Sequence, residues 1–513
     1  MEYVSNRWIH PNKLERRVYQ ENIAKTALLG NTLCVLPTGM GKTPIAVLVA
    51  AAKLDEDMSK KIMLMAPTKP LTAQHRMTFE KFIRIGPSEL VAITGEVPAI
   101  KRMKLYQKAD IVFSTPQTIQ NDLKARRLSL DDYSLLIFDE AHRCVGNYAY
   151  TYVAKAYVNQ NPRGLILALT ASPGGHKWKI DDVRRKLSIK NVEIRSRQDL
   201  DVVKYVQKID EEKIEVVLTQ PMLDLKKYLD TIKKDSLEKL KTWKVVNVSN
   251  ENIISKTYLL DLQRRLQRSE GGFKYLAMSI VAEILKVDHA IGLLETQTLH
   301  SLYEYLQQLY EQGKNGDTRA AQRLIKNEYF EKALALTKKL IAQGDEHPKI
   351  EELKKLISGE FAKNKNARVI VFAQYRDTIN KICNELKKVS GAKPAMFVGQ
   401  AIKKGYGLKQ GDQIKILNEF KLGFCNILCA SSVGEEGIDV TETSLVIFYE
   451  PVPSEIRKIQ RSGRTGRTKA GCVVTLITKN TRDEAYFWSA YHKEKKMKRT
   501  LEGMQKQKDL VNF

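Results

Sequence analysis

The patterning of the chain predicts an α/β fold: two parallel-sheet units with an all-helical insert between them. Three observations carry it. Residues 1–205 alternate short apolar runs with helix-like stretches. Residues 221–345 lose those runs and carry apolar residues at helical spacing. Residues 347–480 resume the alternation.

Each element has its reason. The runs at 33–36, 62–66, 111–114, 135–138 and 165–169 are brief, apolar and closed by small or polar residues, as strands buried on both faces of a parallel sheet are. In the middle region Leu223, Leu225, Tyr228 and Ile232, then Leu259, Leu262 and Leu266, then Leu302, Tyr305 and Leu309 recur at helical spacing. Three or four long helices are expected there, broken at Gly271-Gly272 and at 313–316. After His347-Pro348 come strand candidates at 369–373, 395–398, 426–430, 445–449 and 472–477, and residues 481–513 read as a basic C-terminal helix.

Lys and Arg total 85 against 59 Asp and Glu, a formal charge of +26. That excess favours a polyanionic partner such as nucleic acid over a small neutral substrate; the plainer reading is a lysine-rich surface. The six cysteines form no C-x-x-C pair and have no histidine cluster beside them, which argues against a zinc or iron–sulfur site and reads as thiols in a reducing compartment. The opening MEYVSNRWIH lacks the apolar core of a signal peptide, and no run approaches the roughly 18 apolar residues of a membrane span. A soluble, cytoplasmic, nucleoid-associated protein with no membrane partner is expected.

Leu36-Pro37-Thr38-Gly39-Met40-Gly41-Lys42-Thr43 follows an apolar run and opens a helix. Glycines let backbone N–H groups curl around phosphate oxygens, and the helix start adds its positive dipole end. Lys42 suits β- and γ-phosphates, and Thr43 offers a hydroxyl to Mg²⁺. Leu36 replaces the first glycine of the general pattern. The run 135–138 leads straight into Asp139-Glu140-Ala141-His142, which places two carboxylates at the carboxyl edge of a parallel sheet. Asp139 is expected in the Mg²⁺ shell, and Glu140 as the base that orients and deprotonates water.

With Leu169-Thr170-Ala171-Ser172-Pro173, these segments resemble the first motor domain of superfamily 2 helicases. SSVGEEGID (431–439) and QRSGRTGR (460–467) resemble motifs V and VI of its second. The finer resemblance is to the archaeal Hef helicases, related to the FANCM fork-remodelling translocases. It is carried by LPTGMGKT, APTKPLTAQH, STPQTIQNDL, DEAHRCVGNYAY, SSVGEEGIDV and FYEPVPSEIRKIQRSGRTGR. The resemblance implies two RecA-like motor domains around a thumb-like insert, and ATP with Mg²⁺ in the cleft between the motors. Hef proteins often end in an XPF-type nuclease; no Glu-Arg-Lys signature follows here, so nuclease activity is not expected.

By the same resemblance Arg17 and Gln20 belong to the adenine end of the ATP site, with Thr38, Gly39, Met40, Gly41, Lys42 and Thr43 on the phosphates. Gly437 and Asp439 belong to the ribose side, Gln460 to the γ-phosphate or water, and Arg464 and Arg467 act as arginine fingers. Thr170 and Ser172 relay nucleotide state. A strand is gripped by Pro67, Thr68, Lys69, Thr94, Gly95, Thr115 and Pro116 on one side and by Gln374, Tyr375, Gly399, Gln400 and Ser431 on the other. These are mostly small or polar residues that read sugar and phosphate rather than sequence. Relatives often have threonine where Ser431 stands.

Lys226, Lys227, Lys233, Lys234, Lys239, Lys241 and Lys244, and then Arg264, Arg265 and Arg268, crowd the insert. They read either as a solvated face or as the contact to duplex arms of a fork. The expected function is an ATP-driven 3′→5′ DNA helicase or translocase on forked or branched DNA, in fork repair and remodelling. The alternatives are an RNA-directed ATPase, whose relatives usually carry further RNA-binding domains, and a scaffold with a dead motor, against which the full set of motor residues speaks. A nuclease or sliding-clamp partner is left open.

Overall fold

Short apolar runs become strands of two all-parallel sheets in the computed structural model. It describes residues 2–174, 177–207, 209–246, 254–268, 270–399, 408–431, 443–462, 465 and 471–511. The first unit contains β1 (Thr32–Val35), β2 (Lys61–Met65), β3 (Leu90–Ile93), β4 (Ile111–Ser114), β5 (Tyr133–Phe138), β6 (Leu165–Thr170) and β7 (Asn191–Ile194), in the seven-stranded order β3-β4-β2-β5-β6-β1-β7. Helices α1 (Val18–Leu28), α2 (Lys42–Glu56), α3 (Lys69–Phe82), α4 (Ala99–Lys108), α5 (Pro116–Lys124), α6 (Ala149–Gln160) and α7 (Lys177–Lys186) lie between the strands in sequence. Two buried apolar clusters, one on each face of the sheet, fill the layers. Strands such as β1 and β6 are buried at every position, which is why they read as continuous apolar runs.

The second sheet has the six-stranded order β10-β11-β9-β12-β13-β8. Its strands are β8 (Ile209–Val216), β9 (Val369–Phe372), β10 (Pro394–Phe397), β11 (Ile427–Ala430), β12 (Leu445–Phe448) and β13 (Gly471–Thr478), and its helices are α14 (Pro348–Lys363), α15 (Arg376–Leu386), α16 (Gln410–Leu422) and α17 (Glu455–Ser462). Between β8 and α14 stands the insert: α8 (Gln220–Thr242), α9 (Lys256–Arg268), α10 (Phe273–Thr296), α11 (Leu299–Lys314), α12 (Arg319–Leu324) and α13 (Glu328–Ala342). The α/β architecture with a helical insert is therefore as expected.

Its detail corrects the sequence reading in three places. The insert holds more helices than three or four, because Gln297 and Thr298 break what reads as one helix, and Thr298 caps α11 by accepting from the Ser301 N–H at 3.2 Å. Strands β3, β7 and β8 went unread. All three lie at sheet edges; β7 (NVEI) and β8 (IDEEKIEV, mostly exposed) lack an apolar run, whereas β3 (LVAI) is apolar throughout but fully buried only at its two end residues. Finally, β8 precedes the insert in sequence yet pairs with β13, so the chain enters the second sheet, leaves for the insert and returns.

The final helix, α18 (Arg482–Val511), starts on the second unit and ends on the first. Asp483 is fully buried against the Lys349 ammonium at 2.5 Å, while Leu501 and Met504 pack on the first unit's core. Insert and second unit are joined by charge: the Arg482 guanidinium meets Asp288 at 2.8 and 3.0 Å and Glu295 at 3.3 Å. Lys233 meets the same Asp288 at 2.7 Å, and Lys226 the same Glu295 at 2.7 Å. Two lysines of the expected basic face are thus turned inward. Among the described residues no helix is long and apolar enough to cross a membrane.

Candidate functional site

The phosphate loop leaves β1 and closes on the start of α2. Gly39 and Gly41 hold φ of 85° and 82°, the left-handed region that glycine enters without a Cβ clash. A Cβ on Gly41 would also collide with the Gln20 amide. That amide donates to the Met40 carbonyl at 3.3 Å, and the buried Tyr19 hydroxyl donates to the same carbonyl at 2.6 Å. Gln20 is therefore aimed at the loop, while Arg17 pairs with Glu15 at 2.8 Å and stacks over Tyr205. Thr38 Oγ1 is buried and has no partner among the described residues. An unmet polar atom inside a glycine cradle, with Lys42 and Thr43 opening the helix, fits an incoming polyphosphate.

Asp139 and Glu140 leave β5 beside this loop, where the Asp139 N–H donates to the Met65 carbonyl at 3.0 Å. The Asp139 carboxylate lies 2.8 Å from His75 Nε2, both nearly buried, and the Tyr150 hydroxyl donates to the Asp139 carbonyl at 2.7 Å. Glu140 takes a left-handed backbone, φ 49° and ψ 50°, which costs a non-glycine residue about 1 kcal/mol and turns its carboxylate toward the site. Burial alone would raise the Glu140 carboxyl, but the Lys42 ammonium, His142 and Arg143 outweigh it and hold it below the ordinary carboxylate range. Glu140 is thus held in the ionised form that a base toward water requires. Thr43 and Asp139 are the hydroxyl and carboxylate suited to a magnesium ion, whose charge would neutralise phosphate oxygens.

A polar chain runs outward from Glu140. His142 Nδ1 is 3.2 Å from Glu140 and 3.1 Å from Thr170 Oγ1. Thr170 Oγ1 accepts from the Ser172 N–H at 3.2 Å, and the Ser172 hydroxyl donates to Met497 Sδ of α18 at 3.0 Å. Sequence reasoning named Thr170 and Ser172 but missed His75, His142, Tyr150 and Met497. His75 had a visible signal: with Thr72 and Phe79 it forms the buried stripe of α3. Met497 had none, because its partner is 325 residues away.

The strand-gripping candidates fall at the carboxyl ends of strands. Thr68 caps α3, and Pro67 and Lys69 flank it, with Lys69 2.6 Å from Glu96. Thr94 and Gly95 follow β3; Thr115 and Pro116 open α5 after β4, with Thr115 Oγ1 2.9 Å from Thr118 Oγ1. In the second unit Gln374 and Tyr375 follow β9, Gly399 follows β10, and Ser431 ends β11 with its N–H on the Phe397 carbonyl at 3.0 Å. Gln460 lies on α17. Gln400, Gly437, Asp439, Arg464 and Arg467 lie outside the described residues. Arg461 is buried over the Phe372 and Phe448 rings, with its guanidinium carbon 4.9 and 5.8 Å from their centres, so it anchors α17 to the sheet.

Three family models match consecutive stretches of the chain. They are a DEAD/DEAH box helicase domain over residues 17–179, a helical bundle described as that of a putative ATP-dependent RNA helicase over 221–344, and a helicase conserved C-terminal domain over 348–469. The crystal structure of the Pyrococcus furiosus Hef helicase domain is 42% identical and superposes with a TM-score of 0.71, covering 92% of this chain and 98% of that one. A putative ATP-dependent RNA helicase of Methanocaldococcus jannaschii is 39% identical over 502 residues, 98% of this chain and 63% of the relative. An ATP-dependent DNA helicase of Schizosaccharomyces pombe is 33% identical over 489 residues, 93% of this chain and 59% of the relative. The chain therefore spans about three fifths of the length of these two curated relatives.

Proposed function

This chain belongs to the superfamily 2 helicases of the Hef and FANCM type, and we propose that it is an ATP-driven DNA translocase or helicase that acts on forked or branched DNA with 3′→5′ polarity. The observation that carries the reading is the polar chain from Glu140 through His142, Thr170 and Ser172 to Met497. It gives the hydrolytic carboxylate a path to a helix rooted in the other motor unit. In this reading Lys42 and Thr38 bind phosphates, Thr43 and Asp139 hold Mg²⁺, and Glu140 takes the proton from water. Gln460, Arg464 and Arg467 supply the second unit's half of the site, with Asp439 and Gly437 on the ribose side and Gln20 and Arg17 on the base. The residues at the two carboxyl edges grip one strand, so domain closure and opening advance it. The DNA relatives and the Hef structure support DNA as the track.

The titles of the Methanocaldococcus jannaschii relative and of the helical-bundle model favour a second reading, RNA as the track. Steady-state ATPase rates on single-stranded DNA, linear duplex, forked DNA and double-stranded RNA separate the two, with Lys42→Ala as control. Forked DNA is expected to stimulate most strongly, and the control to abolish turnover. Stimulation by RNA alone would transfer the proposal to the RNA track.

A further inference from the structure

Asp139 is held at two levels. Its backbone is pinned: the N–H donates to the Met65 carbonyl at 3.0 Å, and the buried Tyr150 hydroxyl donates to the carbonyls of Asp139 and Met65 at 2.7 and 3.1 Å. Its side chain is held from a different element, because Oδ2 lies 2.8 Å from His75 Nε2 on α3. A carboxylate presented to a metal ion only accepts hydrogen bonds, so the imidazole donates. Both side chains are nearly buried, which strengthens the bond by keeping competing water away.

The helix that carries His75 begins in the segment assigned to the nucleic-acid strand. Thr68 caps α3, and Pro67 and Lys69 flank it. His75 follows about 10 Å farther along the axis, at 1.5 Å per residue. The link between them is stiff. Thr72 Oγ1 donates to the Thr68 carbonyl at 3.0 Å, and Thr72, His75 and Phe79 make one buried stripe. Phe79 stands edge-on to Phe113 of β4, with ring centres 5.1 Å apart. Close packing of this kind passes displacement on rather than absorbing it, so a shift at the start of α3 reaches the His75 ring. A tie between α3 and β5 that serves folding alone is the plainer reading of the pair. Its position favours more, because the side chain it orients ends β5 beside the phosphate loop.

We propose that His75 is a positioning residue that couples strand contact at the start of α3 to the direction in which Asp139 presents its carboxylate to Mg²⁺. The proposal rests on the motor reading and deepens it into regulation. It differs from the path through Glu140 and Met497 in acting on the metal carboxylate rather than on the base. No proton moves in this role. By linkage, a strand that tightens Mg²⁺ must itself bind more tightly in the presence of Mg²⁺ by the same factor.

The test uses the full chain, a fluorescent non-hydrolysable ATP analogue, and oligo-dT and oligo-U strands. Binding of the analogue is followed through Mg²⁺ titrations with and without a strand, and once in EDTA. In wild type a strand is expected to lower the Mg²⁺ midpoint about fivefold. His75→Leu removes the donor. Its midpoint should rise at least about tenfold, as loss of the group behind a metal ligand does, and a strand should no longer shift it. His75→Gln keeps an N–H donor and should restore most of both effects. Binding in EDTA should match wild type in each variant, because Lys42 and the glycine cradle are intact. Should His75→Leu not fold, His75→Asn, whose shorter amide falls short of Asp139, takes its place.

A wild-type midpoint and strand shift in the variant without the donor overturn the proposal. So does equal weakening with and without Mg²⁺, which marks a tie that serves folding alone. If strands bind wild type but leave its Mg²⁺ midpoint unmoved, the coupling is overturned while the motor reading stands. If neither strand binds wild type, the motor reading fails first and the coupling falls with it.

Discussion

The molecule holds two buried charge clusters built on opposite principles. At the joint between insert and second unit, carboxylates are answered by cations from within the chain: Asp288 by Arg482 and Lys233, Glu295 by Lys226 and Arg482, Asp483 by Lys349. At the carboxyl edge of the first sheet, Asp139 meets His75 and Glu140 meets His142, while the Thr38 hydroxyl has no partner among the described residues. Such pairing tethers the insert to the second unit, since breaking a buried pair strands a charge. Under-satisfied polar groups beside a glycine cradle suit a ligand that brings its own charge. The presence of an opposite charge from within the chain thus distinguishes the joint from a cradle suited to phosphate.

Substitutions can break that contrast, and the largest effect is expected at the open cluster. Glu140→Gln removes the base but not the cradle, so kcat should fall by at least about 100-fold with KM for ATP nearly unchanged. A fall in KM affinity alone would place Glu140 in binding, not chemistry. At the joint, Lys349→Met leaves Asp483 buried without its ammonium. About 3 kcal/mol of stability should be lost in denaturant titration, and Lys349→Met/Asp483→Asn should recover much of it.

A smaller effect depends on pH. His347 caps α14 by accepting the Lys349 N–H at 3.3 Å, and burial, then the Lys349 charge, push its pKa down to about 3 from 6.5. The unfolded chain therefore binds the proton first. Stability is intact above pH 6.5 and declines as pH falls toward 3, by on the order of 1 kcal/mol per unit. His347→Asn keeps a cap without a titrating ring and should flatten that decline between pH 7 and 5 in thermal melts; an unchanged slope would clear His347. Smallest is Met497→Leu, which removes the sulfur acceptor from Ser172 at similar volume. It should shift DNA-stimulated kcat about fivefold, the value of one neutral hydrogen bond, with KM for ATP unmoved. A pure stability loss with unchanged kcat would make the contact structural.

Much of the fold was readable where signals are local. Runs such as 111–114 and 165–169 are buried on both faces, so they stay apolar at every position, and strands β4 and β6 formed there. Phosphate-loop glycines declare themselves through the positive φ they adopt. The DEAH carboxylates declare themselves by following a buried strand. The change of texture at the helical insert was equally plain, but the roles of its lysines were not, because the same Lys-rich pattern serves an exposed face at Lys227 and Lys234 and an internal ion pair at Lys226 and Lys233.

By itself, then, the sequence determined the two parallel-sheet units, the helical insert and the placement of motif residues at strand ends, since each depends on a few adjacent residues. Tertiary structure alone decided that β8 would complete a sheet whose other strands lie beyond the insert, and that α18 would return to put Met497 on Ser172. It also decided that Arg482 would lock the insert to the second unit. These contacts join residues far apart in the chain. An exposed edge strand, a methionine and a surface-type arginine carry no local mark of the partner that folding brings to them.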